Sequence, residues 1–232
     1  MPQISIVIPT YTYYGEGKEV LDYSFSRMIL QSFKDFDVVI SDDSEDDSIK
    51  KVCDKWSNSL DIKYYRNKFN TGAASNLNHA VSVAGAEILK ILFQDDYLFD
   101  NNSMQNIRNN FEDNDIWNFY SYVHTQDRMK YYRYYVPFVV DNLEVNGTLG
   151  TPSALTMRKM KDMPLFDENL KYHFDCDFYR RMQMKYGNPK IVNVITMANY
   201  VWDKNISSNM PDGLFEKELE YLVRKYSGKR DD

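Results

Sequence analysis

Ile88-Leu89-Lys90-Ile91-Leu92-Phe93-Gln94-Asp95-Asp96 runs from a mostly apolar segment straight into a pair of carboxylates. A second stretch, Asp37-Val38-Val39-Ile40-Ser41-Asp42-Asp43, has the same construction. Short runs of this kind read as strands buried on both faces, which is the environment of a parallel sheet. Ile4-Ser5-Ile6-Val7-Ile8, stopped by Pro9, reads as a first such strand, and Ile62-Lys63-Tyr64-Tyr65 as another. Helical spacing fills the gaps. Val20, Leu21, Phe25, Met28 and Ile29 share one face, Asp47 or Ser48 begins a helix ending near Trp56, and Gly72 opens a third. Strands alternating with helices make βαβ units, whose ligands gather at the carboxyl ends of the strands. Both acidic pairs therefore fall on one edge of the sheet. One acidic pair after a strand commonly just starts a turn or caps a helix; two pairs on one edge point to chemistry.

Two carboxylates suit a hard divalent ion, which takes oxygen donors and shares its coordination with substrate phosphates. The rest of the composition narrows the class. The 232 residues carry 28 basic and 34 acidic side chains, a net charge of −6, which argues against a general electrostatic grip on nucleic acid. No apolar run approaches a membrane span, and the amino terminus lacks a signal-peptide pattern, so a cytoplasmic location is expected. The sequons at Asn101, Asn146 and Asn205 then read as chance matches. Cys53 and Cys176 have neither disulfide nor zinc-ligand spacing.

Beyond about residue 115 the character changes. Aromatic-rich segments such as Tyr131-Tyr132-Arg133-Tyr134-Tyr135 predict antiparallel strands mixed with loops, the tyrosine run forming an exposed sheet face. A helix is predicted over 175–186, ended near Gly187, and an amphipathic one over 213–226. The expected organisation is one α/β catalytic domain over 1–212, its halves near 1–115 and 116–212, followed by a helical tail over 213–232.

Four stretches occur together in order. Ile4-Ser5-Ile6-Val7-Ile8-Pro9-Thr10-Tyr11, Ile40-Ser41-Asp42-Asp43-Ser44-Glu45-Asp46-Asp47, Asn70-Thr71-Gly72-Ala73-Ala74-Ser75-Asn76 and Phe93-Gln94-Asp95-Asp96 resemble successive motifs of glycosyltransferase family 2, the inverting, sugar-nucleotide-dependent enzymes of GT-A fold. The resemblance implies that Pro9 and Tyr11 line the nucleotide pocket, with Asp43 and Asn76 contributing to it. Asp42 would hydrogen-bond the base, most often uracil. Asp95 would contact the ribose or sugar, and Asp96 would bind Mg²⁺ or Mn²⁺. More faintly, Phe174-Asp175-Cys176-Asp177 resembles the acceptor-side segment whose leading acid is the general base, here Asp175 with Asp177 in reserve. The helical alternative has Asp175 as a cap and Asp177 paired with Arg181.

Two departures stand out. Thr12 replaces a common asparagine, and the stretch Tyr200-Val201-Trp202-Asp203-Lys204-Asn205 has no histidine where relatives often bind metal or diphosphate. Asp203 as an oxygen ligand and Trp202 as a cover for the sugar are the open alternatives. The lone His79, His124 and His173 read as surface or supporting groups.

The implied activity is transfer of a sugar, most often from a UDP-sugar, to a carbohydrate acceptor such as a surface polysaccharide or lipid-linked oligosaccharide. A degenerate, non-catalytic nucleotide- or glycan-binding module stays open, as does a transferase acting on a protein or a hydroxylated DNA base. A sugar-1-phosphate nucleotidyltransferase would need a glycine-rich phosphate loop where Pro9-Thr10-Tyr11-Thr12-Tyr13 stands. A response-regulator receiver would need its acidic pair after the first strand.

Overall fold

A computed structural model describes residues 2–227. One mixed sheet carries the architecture. β1 (Ile4–Thr10) lies between β2 (Phe36–Asp42) and β4 (Ile88–Ile91), with β3 (Ile62–Arg66) outside β2, all four parallel. Every residue of β2 is buried, as its β-branched composition requires. Between these strands run α1 (Gly17–Met28), α2 (Ser48–Trp56) and α3 (Ala73–Val83), the last packed on β1 and β2.

The second half builds on the β4 edge of that sheet. β5 (Tyr97–Leu98), α4 (Ser103–Asn110), β6 (Trp117–Thr125), β7 (Tyr131–Tyr135) and β8 (Leu155–Arg158) follow in the chain, then α5 (Phe174–Tyr186), β9 (Lys190–Tyr200) and α6 (Leu214–Ser227). The order across the sheet is β3-β2-β1-β4-β8-β6-β9-β5, with β7 hydrogen-bonded to β6. β8 is antiparallel to both β4 and β6, so a strand from late in the sequence seals the edge of the parallel half. The tyrosine run is indeed a strand, and Tyr131, Tyr132 and Tyr134 are exposed.

Two predicted boundaries move. The fourth strand ends at Ile91 rather than Phe93, because Phe93 begins a turn closed by the Asp96 N–H to the Phe93 carbonyl, 3.0 Å. That turn lifts Asp95 and Asp96 off the sheet. The first helix starts at Gly17, three residues before the apolar face that opens at Val20. A side chain at Gly17 would collide with the carbonyls of Tyr11 and Thr12 and with Gln94 Nε2, so the helix start sits flush against the β1 loop.

The last helix is fastened to the body. Leu222 and Tyr226 are buried, and Lys225 Nζ bridges Asp167 at 2.6 Å and Asp177 at 2.8 Å. Residues 228–232 of the predicted tail lie outside the described residues.

Candidate active site

The carboxyl ends of β1, β2 and β4, the start of α5 and the end of β9 enclose a cavity of about 570 Å³. Pro9, Tyr11, Asp43, Asn76, Asp95, Asp96 and Asp175 line it together, although Pro9 and Asp175 are 166 positions apart in the chain. This is where a parallel sheet gathers its ligands.

Gln94 organises the nucleotide-side loop. Its Oε1 accepts the Tyr11 N–H at 2.7 Å, while its Nε2 donates to the carbonyls of Tyr11 at 3.0 Å and Gly17 at 2.6 Å. The β4 turn and the β1 loop are thereby held as a unit.

Asp43 closes another side. Its Oδ2 accepts the N–H groups of Thr71 and Gly72, both at 3.0 Å, and Asn67 Nδ2 donates to its Oδ1. Asn76 Nδ2 donates to the Thr10 carbonyl at 3.1 Å, joining α3 to the same loop. Asp42, expected to face a base, does not line the cavity. It is completely buried, accepting from Tyr64 Oη at 2.6 Å and the Ser44 N–H at 2.9 Å, with Arg66 Nη2 3.5 Å away. Successive residues at a strand end point to opposite sides; Asp43 is the member of the pair that reaches the cavity.

Asp95 and Asp96 are held from the β9 end. Trp202 Nε1 and Asn205 Nδ2 donate to Asp95 Oδ2 at 2.9 and 3.0 Å. Asp96 Oδ1 accepts from Asn199 Nδ2 at 2.9 Å and the Tyr200 N–H at 3.0 Å, but its Oδ2 is buried without a well-formed hydrogen bond. Burial pushes both carboxyl groups above the usual range, and the Asp95 charge raises Asp96 further. A buried, poorly hydrogen-bonded oxygen in a crowded acidic pair is the donor set a hard cation relieves. Among the described residues no three His, Cys, Asp or Glu side chains converge as a closed cage. Asp203 is outside the cavity, its side chain 80% exposed and 3.6 Å from Lys204. Trp202 does not line the cavity either; it reaches the acidic pair only through its Nε1–H to Asp95.

At the acceptor end, Asp175 lines the cavity and its Oδ1 accepts the Cys176 N–H at 2.7 Å. Burial pushes its carboxyl up to about 6. Asp177 is two residues further along the helix and unavailable. It is fully buried, and Arg181 Nη2 at 2.5 Å, Lys225 Nζ at 2.8 Å and Tyr226 Oη at 2.7 Å occupy its oxygens. The helical-pair reading describes Asp177, which withdraws it as a reserve base.

Sequence reasoning missed the contribution of the last helix. Phe215 lines the cavity, its ring centre 4.7 Å from that of His173, another lining residue. His79 instead hydrogen-bonds Ser41 at 2.8 Å, and His124 the Arg133 carbonyl.

A sheet of this order with a carboxylate pair at its edge defines a nucleotide-sugar transferase fold, and the family model named "Glycosyl transferase family 2" matches residues 5–185. The chain belongs to that family, and its fold is GT-A. It is similar to the GalNAc(5)-diNAcBac-PP-undecaprenol beta-1,3-glucosyltransferase of Campylobacter jejuni, 30% identical over 100 residues, 42% of this chain and 31% of that protein. It is also similar to the glycosyltransferase GlyG of Streptococcus pneumoniae, 26% identical over 63% of this chain and 49% of that protein. The chain thus spans less than half the length of these two curated relatives. Among solved structures, TarS of S. aureus in complex with UDP superposes over 99% of this chain and 73% of its own, with a TM-score of 0.66 at 20% identity. The mannosyltransferase PcManGT of Pyrobaculum calidifontis, in complex with GDP-Man and Mn²⁺, gives 0.62 at 11% identity over 98% of this chain and 76% of that one. Among the described residues, no helix is long and apolar enough to cross a membrane.

Proposed function

We propose that this glycosyltransferase moves a sugar from a UDP-sugar to a hydroxyl of a carbohydrate acceptor, inverting the anomeric carbon, on the cytoplasmic side. The observation that carries the reading is the joint placement of Asp95, Asp96 and Asp175 on one cavity, with an Asp96 oxygen buried without a well-formed hydrogen bond.

Pro9, Tyr11, Asp43 and Asn76 bound the nucleotide end. Asp96, with Asp95 beside it, would hold Mg²⁺ or Mn²⁺. When bound, such an ion supplies positive charge against the diphosphate leaving group. Trp202 and Asn205 fix Asp95 so that its carboxylate is oriented before the donor arrives. Asp175, ionised above about pH 6, takes the proton of the acceptor hydroxyl. That oxygen forms a bond to the anomeric carbon from the face opposite the diphosphate. The bond to the diphosphate oxygen breaks, so the nucleotide departs with the electron pair and the proton stays on Asp175.

The choice of a uridine donor is supported by the fold likeness to TarS, whose structures hold UDP and UDP-GlcNAc, and the choice of ion by the Mn²⁺ in PcManGT. A lipid-linked glycan acceptor is supported by the named substrate of the Campylobacter relative.

The test is Mn²⁺-dependent hydrolysis and binding across UDP-, GDP-, CDP- and dTDP-sugars, comparing the native chain with Asp96→Asn. Turnover of one donor, lost in the variant, is the expected result. A folded native chain that binds none of these donors would refute the proposal and leave a non-catalytic module.

A further inference from the structure

The last helix carries two residues that the chemistry above does not use. Glu218 is 4% exposed. Its Oε1 accepts the Lys171 N–H at 2.7 Å, and its Oε2 accepts those of Tyr172 at 3.1 Å and His173 at 2.9 Å. His173 Nδ1 lies 3.3 Å from the same Oε2. A buried carboxylate with several charge-assisted partners is a rigid anchor. What it anchors is the segment that turns directly into α5 and presents Asp175.

Three residues before Glu218, Phe215 reaches the cavity. Its ring centre stands 4.7 Å from that of His173 and 5.8 Å from that of Tyr172, yet 39% of Phe215 stays exposed. Tyr172, His173 and Phe215 all line the cavity together with Asp175. An aromatic cluster with a bare face beside the base asks for a flat, partly apolar partner.

We propose that Phe215, Tyr172 and His173 form the acceptor subsite, a platform for the C–H face of a pyranose ring, with Glu218 as the positioning residue that holds both platform and base. This rests on the transferase reading above. A pyranose offers one face of C–H bonds to cover the exposed ring while its rim hydroxyls stay free for Asp175. A linear polyol phosphate has no such face and brings negative charge to a wall that already carries Asp175, with Glu218 buried behind it.

The test uses methyl β-pyranosides of glucose, galactose and N-acetylglucosamine, with ribitol phosphate as the linear comparison, and reads the ratio of sugar transfer to donor hydrolysis. A pyranoside is expected to act as acceptor. Phe215→Ala should raise its KM about tenfold and lower the ratio, and Phe215→Tyr should restore both. Glu218→Gln leaves amide N–H groups facing an NH₂ group, and its transfer kcat should fall about tenfold. The Glu218 charge raises the Asp175 carboxyl, so the acid limb of the transfer profile should also move to lower pH, a shift that general loosening would not produce. Transfer to ribitol phosphate but to no pyranoside, or a ratio unmoved by Phe215→Ala, overturns the subsite and leaves the transferase reading standing. A native chain that hydrolyses no donor removes the reading beneath it.

Discussion

Replacing Gln94 should loosen the donor side before it touches any chemistry. The side chain is 2% exposed and makes three hydrogen bonds to backbone, one to the Tyr11 N–H and two to the carbonyls of Tyr11 and Gly17. Gln94→Ala deletes all three and leaves their partners in a poorly hydrated seam. At about 1 kcal/mol net for each bond, the loss is about 3 kcal/mol. For a chain of this size that corresponds to a fall in Tm of about 6–12 °C. Thermal unfolding by circular dichroism measures it directly, and urea unfolding should show a lower midpoint at unchanged m. Gln94→Glu sharpens the test, because an anionic oxygen would then face two carbonyls. Its folded-state carboxyl would be raised above the unfolded value of about 4.3. The penalty is therefore present at neutral pH and relieved as pH falls through the raised value. A Gln94→Ala protein melting within about 2 °C of the native one would show that water replaces these bonds and that Gln94 does not brace the loop.

Further outcomes follow from the acceptor end. With Asp175 pushed up to about 6 by burial, the transfer rate should rise with pH to a plateau above that value. Asp175→Asn should lower kcat by about a hundredfold or more and abolish that limb, in a rate-against-pH series. The same raised carboxyl opposes folding above its unfolded range, so Asp175→Asn should gain stability near pH 7 relative to pH 4. Asp177→Asn should behave oppositely. Stripped of its charge, it leaves Arg181 and Lys225 without their shared partner, and denaturant unfolding should show a loss of about 3 kcal/mol. The residual transfer of that variant should keep its pH midpoint; a displaced midpoint would return Asp177 to the chemistry.

The parallel half of the fold was legible because strands covered on both faces leave unbroken runs such as Val38-Val39-Ile40, and the acidic pairs sit where those runs stop. What the runs do not contain is register across the sheet. Nothing local to Leu155–Arg158 says that it will lie against β4, because that pairing is chosen by burial at long range. Nor does adjacency tell Asp42 from Asp43. The side on which each lands depends on Tyr64 and Arg66 of the neighbouring strand, which seal one and leave the other. Trp202 and Asp203 pose the same problem at the far wall. The amphipathic pattern of α6 gave a helix with one apolar face but not what that face would meet, and the use of Glu218 as an anchor depends on a loop 45 residues earlier. His173 carried a weak signal, standing two residues before the expected base.

The placement of β8 between β4 and β6 bears on how such a chain is made and redesigned. Residues 4–91 leave the ribosome before residues 155–158 and can assemble four parallel strands, but β4 then presents an open edge until β8 arrives. An unpaired apolar edge is prone to pair with other chains. A fragment cut near residue 115 should be insoluble rather than a small donor-binding protein. Grafting experiments that exchange one half against another would have to carry β8 along with the parallel strands it closes, so the unit of transplantation is the closed sheet and not the linear half.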